Sequence, residues 1–281
     1  MTHLAVKIKF DQTHNVIQPT IVLATRKGKK LGVLQAENVE VSDSMNTYFE
    51  LSFQVQKENN GQRCVLWDQI EDFKLVWCRE WDIWFEIKVE ISESNNTVKN
   101  INAVSLGEAE TGQVMLYGIE INTENDIARE AYDADNPTVL YREDLHSSSL
   151  LHRIMEKAPH YKIKHVDASI ANIQRTFTFD GTSLYDALQQ IAEEINCIFV
   201  FDSGTNKETG EIAREISVYD LETYCRDCGH RNDTFFKVCP ECNNVGGQGV
   251  SPGYGIDTTI FVSSENLADE ITFSTDTDSV K

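Results

Sequence analysis

The amino-acid sequence predicts a mainly β fold with an α+β part and a small cysteine-containing insertion. Three observations support this prediction: apolar residues alternate with polar ones through the first hundred positions, helical periodicity begins only after about residue 107, and two Cys-x-x-Cys pairs occur within residues 225–242. The 281 residues exceed the length of one average domain. We therefore predict a first domain over residues 1–106, a second over 107–281, and an insertion over 221–255.

The first domain is predicted to consist of short strands. Three stretches alternate with period two, and their apolar positions are Leu4, Val6, Ile8 and Phe10; Leu51, Phe53 and Val55; and Trp81, Ile83, Phe85, Ile87, Val89 and Ile91. The sequences RKGKK, ENNGQ and SESNN supply turns between strands. Short strands with regular turns favour a barrel or a sandwich. Trp84 is an aromatic on the polar face and suggests a second packing surface.

The second domain is predicted to combine helices and strands. Leu150, Leu151, Ile154 and Met155 have helical spacing, and Pro159 ends that helix. In the next helix, Thr182 or Ser183 can cap the N-terminus and an apolar stripe follows, made of Leu184, Leu188, Ile191 and Ile195. The strands CIFVF and EISVYDLETY follow, and the second leads into the cysteine pairs. The insertion therefore interrupts a sheet.

The two cysteine pairs, Cys225/Cys228 and Cys239/Cys242, have the spacing of two knuckles that close on one tetrahedral Zn²⁺ with four thiolates. Gly229 directly after the first pair allows a tight backbone turn. Disulfides or a redox pair are the alternatives. The N-terminal sequence predicts no signal peptide and the chain predicts no membrane span, so we expect reduced thiols and bound metal. Four cysteines leave no open coordination position, so the zinc is expected to be structural.

The charge of the chain disfavours nucleic-acid binding. The formal net charge is −20 and the pI is about 4.7, which repels phosphates. The cysteine segment itself is neutral, because its three basic residues are matched by three acidic ones. The acidity is otherwise typical of a solvated surface.

The sequence contains no recognisable catalytic constellation. It lacks a Gly-x-Ser-x-Gly elbow, a His-Glu-x-x-His helix and a Walker-type loop. Four histidines lie near one another in the sequence, but their spacing favours surface or hydrogen-bonded core residues over a second metal site. The remaining cysteines occur in apolar stretches and are expected to be buried and inert; they are Cys64, Cys78 and Cys197.

Five stretches distributed along the chain share the pattern of one protein family: PTIVLATRKGKKLGVLQAENVEVSD, LWDQIEDFKLVWCREWDIWFEIKVEI, SLLHRIMEKAPHYKI, IANIQRTFTFDGTSLYDALQQIAEEINCIFVFD and LADEITFSTDTDSVK. Together they resemble the tail-tip hub proteins of non-contractile-tailed phages and of prophages of Gram-positive bacteria. The likeness extends over nearly the whole chain. The cysteine segment is similar to a zinc-ribbon-like finger inserted in a subset of these proteins.

This resemblance implies a structural protein with barrel-like hub domains that forms a homotrimeric ring at the distal end of the tail tube. It also implies contacts with a distal tail protein and with the tape-measure protein, passage of DNA without specific binding, and a place in the virion tail after synthesis in the bacterial cytoplasm. The resemblance assigns no catalytic or cofactor-binding residue to this chain. A peptidase or wall-degrading domain is expected only downstream of Lys281.

Two other functions stay open at this point. The chain could be a tail-associated enzyme that degrades the cell wall, or a cytosolic zinc-ribbon adaptor. Cell-wall hydrolysis by the 281-residue chain would favour the first. Salt-sensitive binding of nucleic acid by a monomer would favour the second, although the charge of −20 opposes it.

Overall fold

The computed structural model of the chain describes residues 19–42, 49–59, 61–88, 92–94, 97–129, 132–206, 209–221, 223–224, 231–232 and 241–242. An antiparallel sheet of eight strands occupies the first part of this structure, and smaller sheets with helices occupy the second. We call the first part, with its core, the sheet lobe, and residues 113–221 the α+β lobe. The mainly β fold class is confirmed.

The strands of the sheet lobe are short. Their bounds are Ile21–Ala24 (β1), Lys30–Val33 (β2), Ala36–Ser42 (β3), Glu50–Gln56 (β4), Glu58–Asn59 (β5), Gln62–Arg63 (β6), Leu75–Cys78 (β7), Ile83–Ile87 (β8), Ser92–Ser94 (β9) and Val98–Ser105 (β10). The sheet has the order β2-β1-β7-β8-β10-β4-β3, with β9 beside β10, while β5 and β6 form a separate ribbon. A 3-10 helix at Trp67–Gln69 precedes β7.

The predicted alternation holds in β4. Leu51, Phe53 and Val55 are buried in the core of the sheet lobe, whereas Ser52 and Gln54 are half-buried on the other face. Successive side chains of a strand point to opposite faces, so the sequence pattern translates directly into one core-facing row.

The strand around Trp84 differs from its prediction. β8 ends at Ile87, and residues 89–91 lie outside the described residues. On its inner face Phe85 and Ile87 join the core, but the outward residues Trp84 and Glu86 are also only 1% and 4% exposed. The second packing surface expected at Trp84 is therefore confirmed, and it extends to a glutamate that the pattern placed in solvent.

The sheet is open rather than closed, so the barrel-like expectation needs correction for the part of the chain that is described. β2 and β3 are the two edge strands and share no ladder. They are nevertheless consecutive in the chain: three Cα steps from Val33 to Ala36 hold these strand ends within about 11 Å. The first predicted strand, Leu4 to Phe10, lies outside the described residues. The sheet thus curls around its core without closing the ladder.

The second part of the chain contains seven strands and most of the helical turns among the described residues. The strands are Met115–Leu116 (β11), Ile119–Ile121 (β12), Lys162–Val166 (β13), Phe177–Phe179 (β14), Thr182–Ser183 (β15), Cys197–Asp202 (β16) and Glu215–Asp220 (β17). The helices are Leu106–Gly112 (α1), Glu124–Ile127 (α2), Leu150–Met155 (α3), Ala168–Ala171 (α4) and Leu184–Ile195 (α5). β17 is the central strand of a three-stranded sheet: β16 pairs with it antiparallel and β13 pairs with it parallel.

Both predicted helices are confirmed. Ser183 caps α5, since its hydroxyl accepts the backbone N–H of Asp186 at 3.0 Å, and Asn196 ends the helix in the left-handed conformation with φ of 57°. The whole predicted stripe of α5 is buried. α3 ends at Met155, before Pro159, and its apolar face packs into the same core.

Helix α1 connects the lobes. It follows β10 without a break and contacts β8 on one side and α5 on the other. The predicted domain boundary after residue 106 falls within its first turn and stays a prediction. Gly107 lies against Phe201 of β16 so closely that an added Cβ would stand 2.5 Å from the Phe201 Cβ and Cγ atoms. A side chain at position 107 would therefore force the helix away from β16.

We expect Gly107→Ala to lower the free energy of unfolding by about 1–3 kcal/mol, the usual cost of overpacking a core. Phe201 cannot swing its Cβ away, because that atom is fixed to the strand. Chemical denaturation of the variant measures the loss. The same substitution in a Phe201→Gly background, which lacks that Cβ atom, should cost less, and an equal cost in both backgrounds would contradict the contact as its cause.

Candidate functional site

The predicted metal site lies mostly outside the described residues. Of its four ligands, Cys225, Cys228 and Cys239 are outside them, and Cys242 lies on an exposed turn. Two short strands, Thr223–Tyr224 (β18) and Arg231–Asn232 (β19), pair antiparallel on either side of the first cysteine pair. Tyr224 and Arg231 are partners, so the six residues between them begin and end within about 5.5 Å of each other.

This hairpin fits the predicted zinc knuckle. Cys225, Cys228 and Gly229 fall in the sequence between these paired strands, and a four-thiolate Zn²⁺ site would take two of its ligands from this segment. The zinc ligands and the finger stay a prediction. Elsewhere, the described ranges contain no cluster of three or more histidine, cysteine or acidic side chains able to hold a metal.

Replacing Cys225 with serine is expected to abolish zinc binding without unfolding the two lobes. Three thiolates and a hydroxyl hold Zn²⁺ much more weakly, whereas the cores of both lobes are built from residues 21–218. Metal analysis of the purified variant, with circular dichroism of its thermal transition, checks both statements. Cys64→Ser is the matched control and should keep one zinc per chain; global unfolding of Cys225→Ser would contradict the separation.

Two of the remaining cysteines are buried, as predicted. Cys78 and Cys197 are nearly inaccessible, while Cys64 is half-buried. Burial and the nearby Glu80 carboxylate raise the pKa of Cys78 to about 12. The Cys78 thiol therefore stays protonated at neutral pH and is a poor nucleophile.

The contact between the lobes contains two groups of hydrogen bonds, and Asp82 is the centre of the first. Both carboxylate oxygens accept the backbone N–H of Thr205 at 3.1 Å, and Oδ1 also accepts Trp77 Nε1 at 2.9 Å. Trp84 Nε1 donates to Thr205 Oγ1 at 3.3 Å. These bonds attach the β16–β17 loop (residues 203–206 and 209–214) to the outer face of the sheet.

Aromatic and cationic groups cover the same face. The Trp77 and Trp84 rings stack with centroids 5.9 Å apart, and Lys30 Nζ lies 3.0 Å from the centroid of Trp77. Burial lowers the pKa of Lys30, and the charge of Asp82 opposes that shift. Ile212 of the β16–β17 loop packs against this cluster. The outer face of β8 thus belongs to a second, smaller core.

Glu110 on α1 is the other centre. Arg214 holds it with two hydrogen bonds of 2.8 Å, and the Tyr161 hydroxyl donates a third of 2.8 Å. Burial alone would raise the pKa of Glu110, but the bonds from Arg214 and Tyr161 outweigh it and hold the pKa below its usual value. Burial and the charge of Glu110 raise the pKa of Tyr161. The bidentate geometry fixes α1 to the start of β17.

The pKa of Glu86 is shifted in the direction opposite to that of Glu110. Burial raises its pKa, while the Arg26 charge and a 3.1 Å hydrogen bond from Gln113 Nε2 oppose the shift. Two carboxyl groups whose pKa values are displaced in opposite directions are a feature of acid–base sites. Here both Glu110 oxygens are occupied by Arg214, and Glu86 is 4% exposed. Glu110, bound to Arg214, and Glu86, bound to Gln113, therefore hold the two lobes together.

His160 Nε2 approaches the Glu110 carboxylate at 3.7 Å, whereas two other histidines lie apart from this contact. His146 and His152 stack with ring centroids 3.8 Å apart, and Tyr141 stacks on His152 at 5.2 Å. His152 Nδ1 is buried and has no hydrogen-bond partner among the described residues. Burial lowers the pKa of His152 and the neighbouring His146 lowers it further, while Glu156 opposes the shift. These rings form an aromatic stack in which His146 is exposed and His152 is half-buried.

Acidification is expected to destabilise the α+β lobe through His152. Because the folded pKa lies below the unfolded value of about 6.5, the unfolded state binds more protons, and stability falls as the pH drops below about 6.5. Thermal unfolding between about pH 7.5 and pH 5.5 measures the effect. His152→Phe keeps an aromatic ring in the stack and should flatten this pH dependence. An unchanged slope in that variant would contradict the assignment.

Sequence reasoning missed the residues that join the lobes. Asp82, Glu86 and Glu110 stand among 45 acidic residues, and no local pattern distinguishes them. The one available signal was Trp84, an aromatic residue next to Glu86 on a face expected to be solvated. None of the helices in the described ranges has the length and hydropathy needed to cross a membrane.

Comparison with known proteins finds likeness in solved structures. The chain is similar to the prophage tail protein gp18 of Listeria monocytogenes (TM-score 0.48, 12% identity, 83% of this chain and 66% of that one). It is also similar to the 43 kDa tail protein of prophage MuSo2 from Shewanella oneidensis, with a TM-score of 0.43, 9% identity, and coverage of 75% of this chain and 58% of that one. A tail protein of Neisseria meningitidis has a TM-score of 0.37 and 10% identity, with coverage of 72% of this chain and 50% of that one. No protein-family model and no curated protein matches the chain. The chain spans less than two thirds of the length of these structures, and all three of them are tail proteins, two from prophages.

Proposed function

We propose that this chain is a structural protein of a phage or prophage tail, and that three copies form a hub ring at the distal end of the tail tube. The observation that carries the proposal is where the hub-like sequence stretches lie in the structure. The stretch 66–91 supplies β7 and β8 with Asp82 and Trp84. The stretches 149–163 and 170–202 supply Tyr161 and Phe201, which pack against α1 from the other lobe.

A joint of this kind suits a load-bearing component. The contact combines an apolar cluster around Trp84, a bidentate ion pair between Glu110 and Arg214, and a glycine that admits close approach. Such packing holds two lobes in one orientation, whereas an enzyme that closes on a substrate needs a hinge there. The polar centres of this contact are engaged with one another, and we assign no catalytic residue.

The acidity of the chain suits a ring through which DNA passes. A net charge of −20 repels phosphate, so DNA would not adhere to an acidic lining. In this proposal Cys225, Cys228, Cys239 and Cys242 would hold one zinc ion per chain, which would supply a tetrahedral cross-link that orders a segment too small for its own core. A distal tail protein and the tape-measure protein are the proposed neighbours.

Native mass spectrometry of the 281-residue chain tests the stoichiometry and the metal together. We expect an assembly of three chains of 31.9 kDa with three zinc ions. Immunogold labelling of intact tails with an antibody to this chain tests the location, and we expect label only at the distal end of the tube. Label along the tube or its absence from tails would refute the tail-tip assignment.

Two assays separate this function from its alternatives. Release of soluble fragments from purified peptidoglycan by the 281-residue chain would indicate a cell-wall hydrolase. A monomer that binds nucleic acid more weakly as salt rises would indicate a zinc-ribbon adaptor. We expect neither result.

A further inference from the structure

The turn between β1 and β2 concentrates positive charge on this acidic chain. Arg26, Lys27, Lys29 and Lys30 surround Gly28, so four of the 25 basic residues of an acidic chain fall within five positions. We call residues 26–30 the basic turn. The backbone is fixed, since Thr25 N–H donates to Lys29 O at 2.9 Å and Gly28 N–H donates to Thr25 O at 2.8 Å, with Gly28 at φ of 79°. The charges are therefore presented in a defined arrangement.

Within one chain this charge is poorly neutralised. Lys30 lies over Trp77, and Arg26 lies near Gln113 and Glu86 at the contact between the lobes. Lys27 and Lys29 are exposed, and neither forms an ion pair with any carboxylate in the described ranges. At least two cations of the basic turn are thus available to an external anionic group.

An exposed aromatic residue stands beside these cations. Phe73 is 45% exposed and adopts a φ of 62°, a backbone conformation that is strained for a bulky side chain. Its N–H donates to Ile87 O at 3.0 Å, and the Arg26 guanidinium lies 5.6 Å from its ring centroid. Aromatic residues and arginine are the usual anchors of protein interfaces. The basic turn and Phe73 together form a surface suited to an acidic protein.

A complementary surface exists on the α+β lobe. The loop of residues 132–145 exposes four carboxylates, none of which forms an ion pair among the described residues; they are Asp133, Asp135, Glu143 and Asp144. Asn136 fixes the loop, because its amide donates to Asp133 at 2.7 Å and its oxygen accepts Arg142 at 2.9 Å. We call residues 132–145 the acidic loop.

We propose that the basic turn and Phe73 of one copy dock against the acidic loop of the next copy in the assembly. This inference rests on the proposed self-association. Copies that each carry a charge of −20 repel one another, so a local contact of opposite charge favours one way of association over contacts between like charges. Because the two surfaces lie on different lobes, the contact is head-to-tail, and repeated contacts of that kind close into a ring when the rotation allows it.

Charge reversal in solution tests the contact. Sedimentation velocity of the zinc-loaded 281-residue chain should show self-association that weakens between about 50 mM and about 500 mM salt. Lys27→Glu/Lys29→Glu should weaken association about tenfold or more, and so should Glu143→Lys/Asp144→Lys. The chain with all four substitutions again pairs opposite charges and should recover association to within about threefold of the original.

A matched control separates this contact from the effect of net charge. Lys162→Glu/Arg175→Glu changes the net charge by the same amount at exposed positions of the α+β lobe and should leave association unchanged. Trimers that are indifferent to all the reversals would overturn the docking contact while leaving the hub function standing. Loss of association in the control as well, or no recovery in the fourfold variant, would also overturn it.

The basic turn could instead recognise phosphate. One result would overturn the proposal in favour of nucleic acid. In that result the original chain binds a double-stranded oligonucleotide, and Lys27→Glu/Lys29→Glu abolishes this binding without changing self-association in sedimentation velocity. A chain that stays monomeric at low salt would overturn it too. The immunogold experiment reads the tail location independently of both results.

Discussion

Trp84→Ala is expected to lower the free energy of unfolding by about 3–5 kcal/mol, the usual cost of removing a buried tryptophan. Trp84 is 1% exposed and is the largest fully buried side chain in the described structure. Its ring packs with Leu75, Leu106 and Ala24 between the lobes, and its indole N–H bonds to Thr205. The substitution would leave a cavity and an unpaired hydroxyl at the joint. Urea denaturation gives the free energy.

The position of Trp84 makes a second readout possible. If the ring holds the lobes together, limited proteolysis of the variant should release a protected fragment of each lobe, because their main cores contain no Trp84. Trp77→Ala is the matched control. Because Trp77 is only half-buried on the same face, this substitution should lower the free energy of unfolding by less than Trp84→Ala does. A loss below about 1 kcal/mol for Trp84→Ala would contradict the description of the joint.

Arg153→Met is expected to cost about 3–5 kcal/mol, because it would leave a buried carboxylate without its cation. Asp126 is 4% exposed, and Arg153 binds it at 2.9 and 3.1 Å while also donating to the backbone oxygen of Glu120 at 2.6 Å. Burial would raise the pKa of Asp126, but the Arg153 bonds outweigh it and lower the pKa. Methionine keeps an unbranched, flexible side chain but removes the charge and the N–H groups that bind Asp126 and Glu120.

The appropriate control for Arg153 lies on the same carboxylate. Arg129 approaches Asp126 at 3.8 Å from a half-exposed position, so Arg129→Met should cost less than about 1 kcal/mol. Thermal or urea denaturation of the two variants under identical conditions checks the difference. Equal losses would mean that the charge of Asp126 is balanced by solvent rather than by Arg153.

Periodicity predicted those elements whose environment is set by local sequence. β4 and α5 each meet one core, so a row of apolar residues at period two or 3.6 identifies the buried face. The Ser183 cap was visible for the same reason, because capping involves residues three positions apart.

The outer face of β8 could not be predicted in this way. Its cover comes from Thr205, 123 positions from Asp82, and no local pattern reports a partner so far along the chain. Glu86 therefore looked like a solvated residue, and only Trp84 hinted otherwise. The openness of the sheet was missed for a related reason, since strand patterns do not state which edges pair.

The predicted cysteine site, unlike the outer face of β8, depends on local sequence alone. Two Cys-x-x-Cys pairs predict a metal site without any knowledge of the fold, because two cysteines separated by two residues can both reach one metal ion. The β18–β19 hairpin adds that the first pair stands between paired strands. The spacing of the cysteines does not predict where the proposed finger lies relative to the lobes, because that position depends on contacts between distant residues.

The cover on β8 also has a consequence for the order of events during synthesis. The sheet lobe is complete at Ser105, but the loop that seals its outer face follows about a hundred residues later. At about 5–20 residues per second, the nascent chain presents Trp84 and Leu75 to the cytosol for roughly 5–20 s before Thr205 and Ile212 emerge. A ribosome-bound chain stalled in this interval is the form of the protein that is most exposed to aggregation and to capture by chaperones.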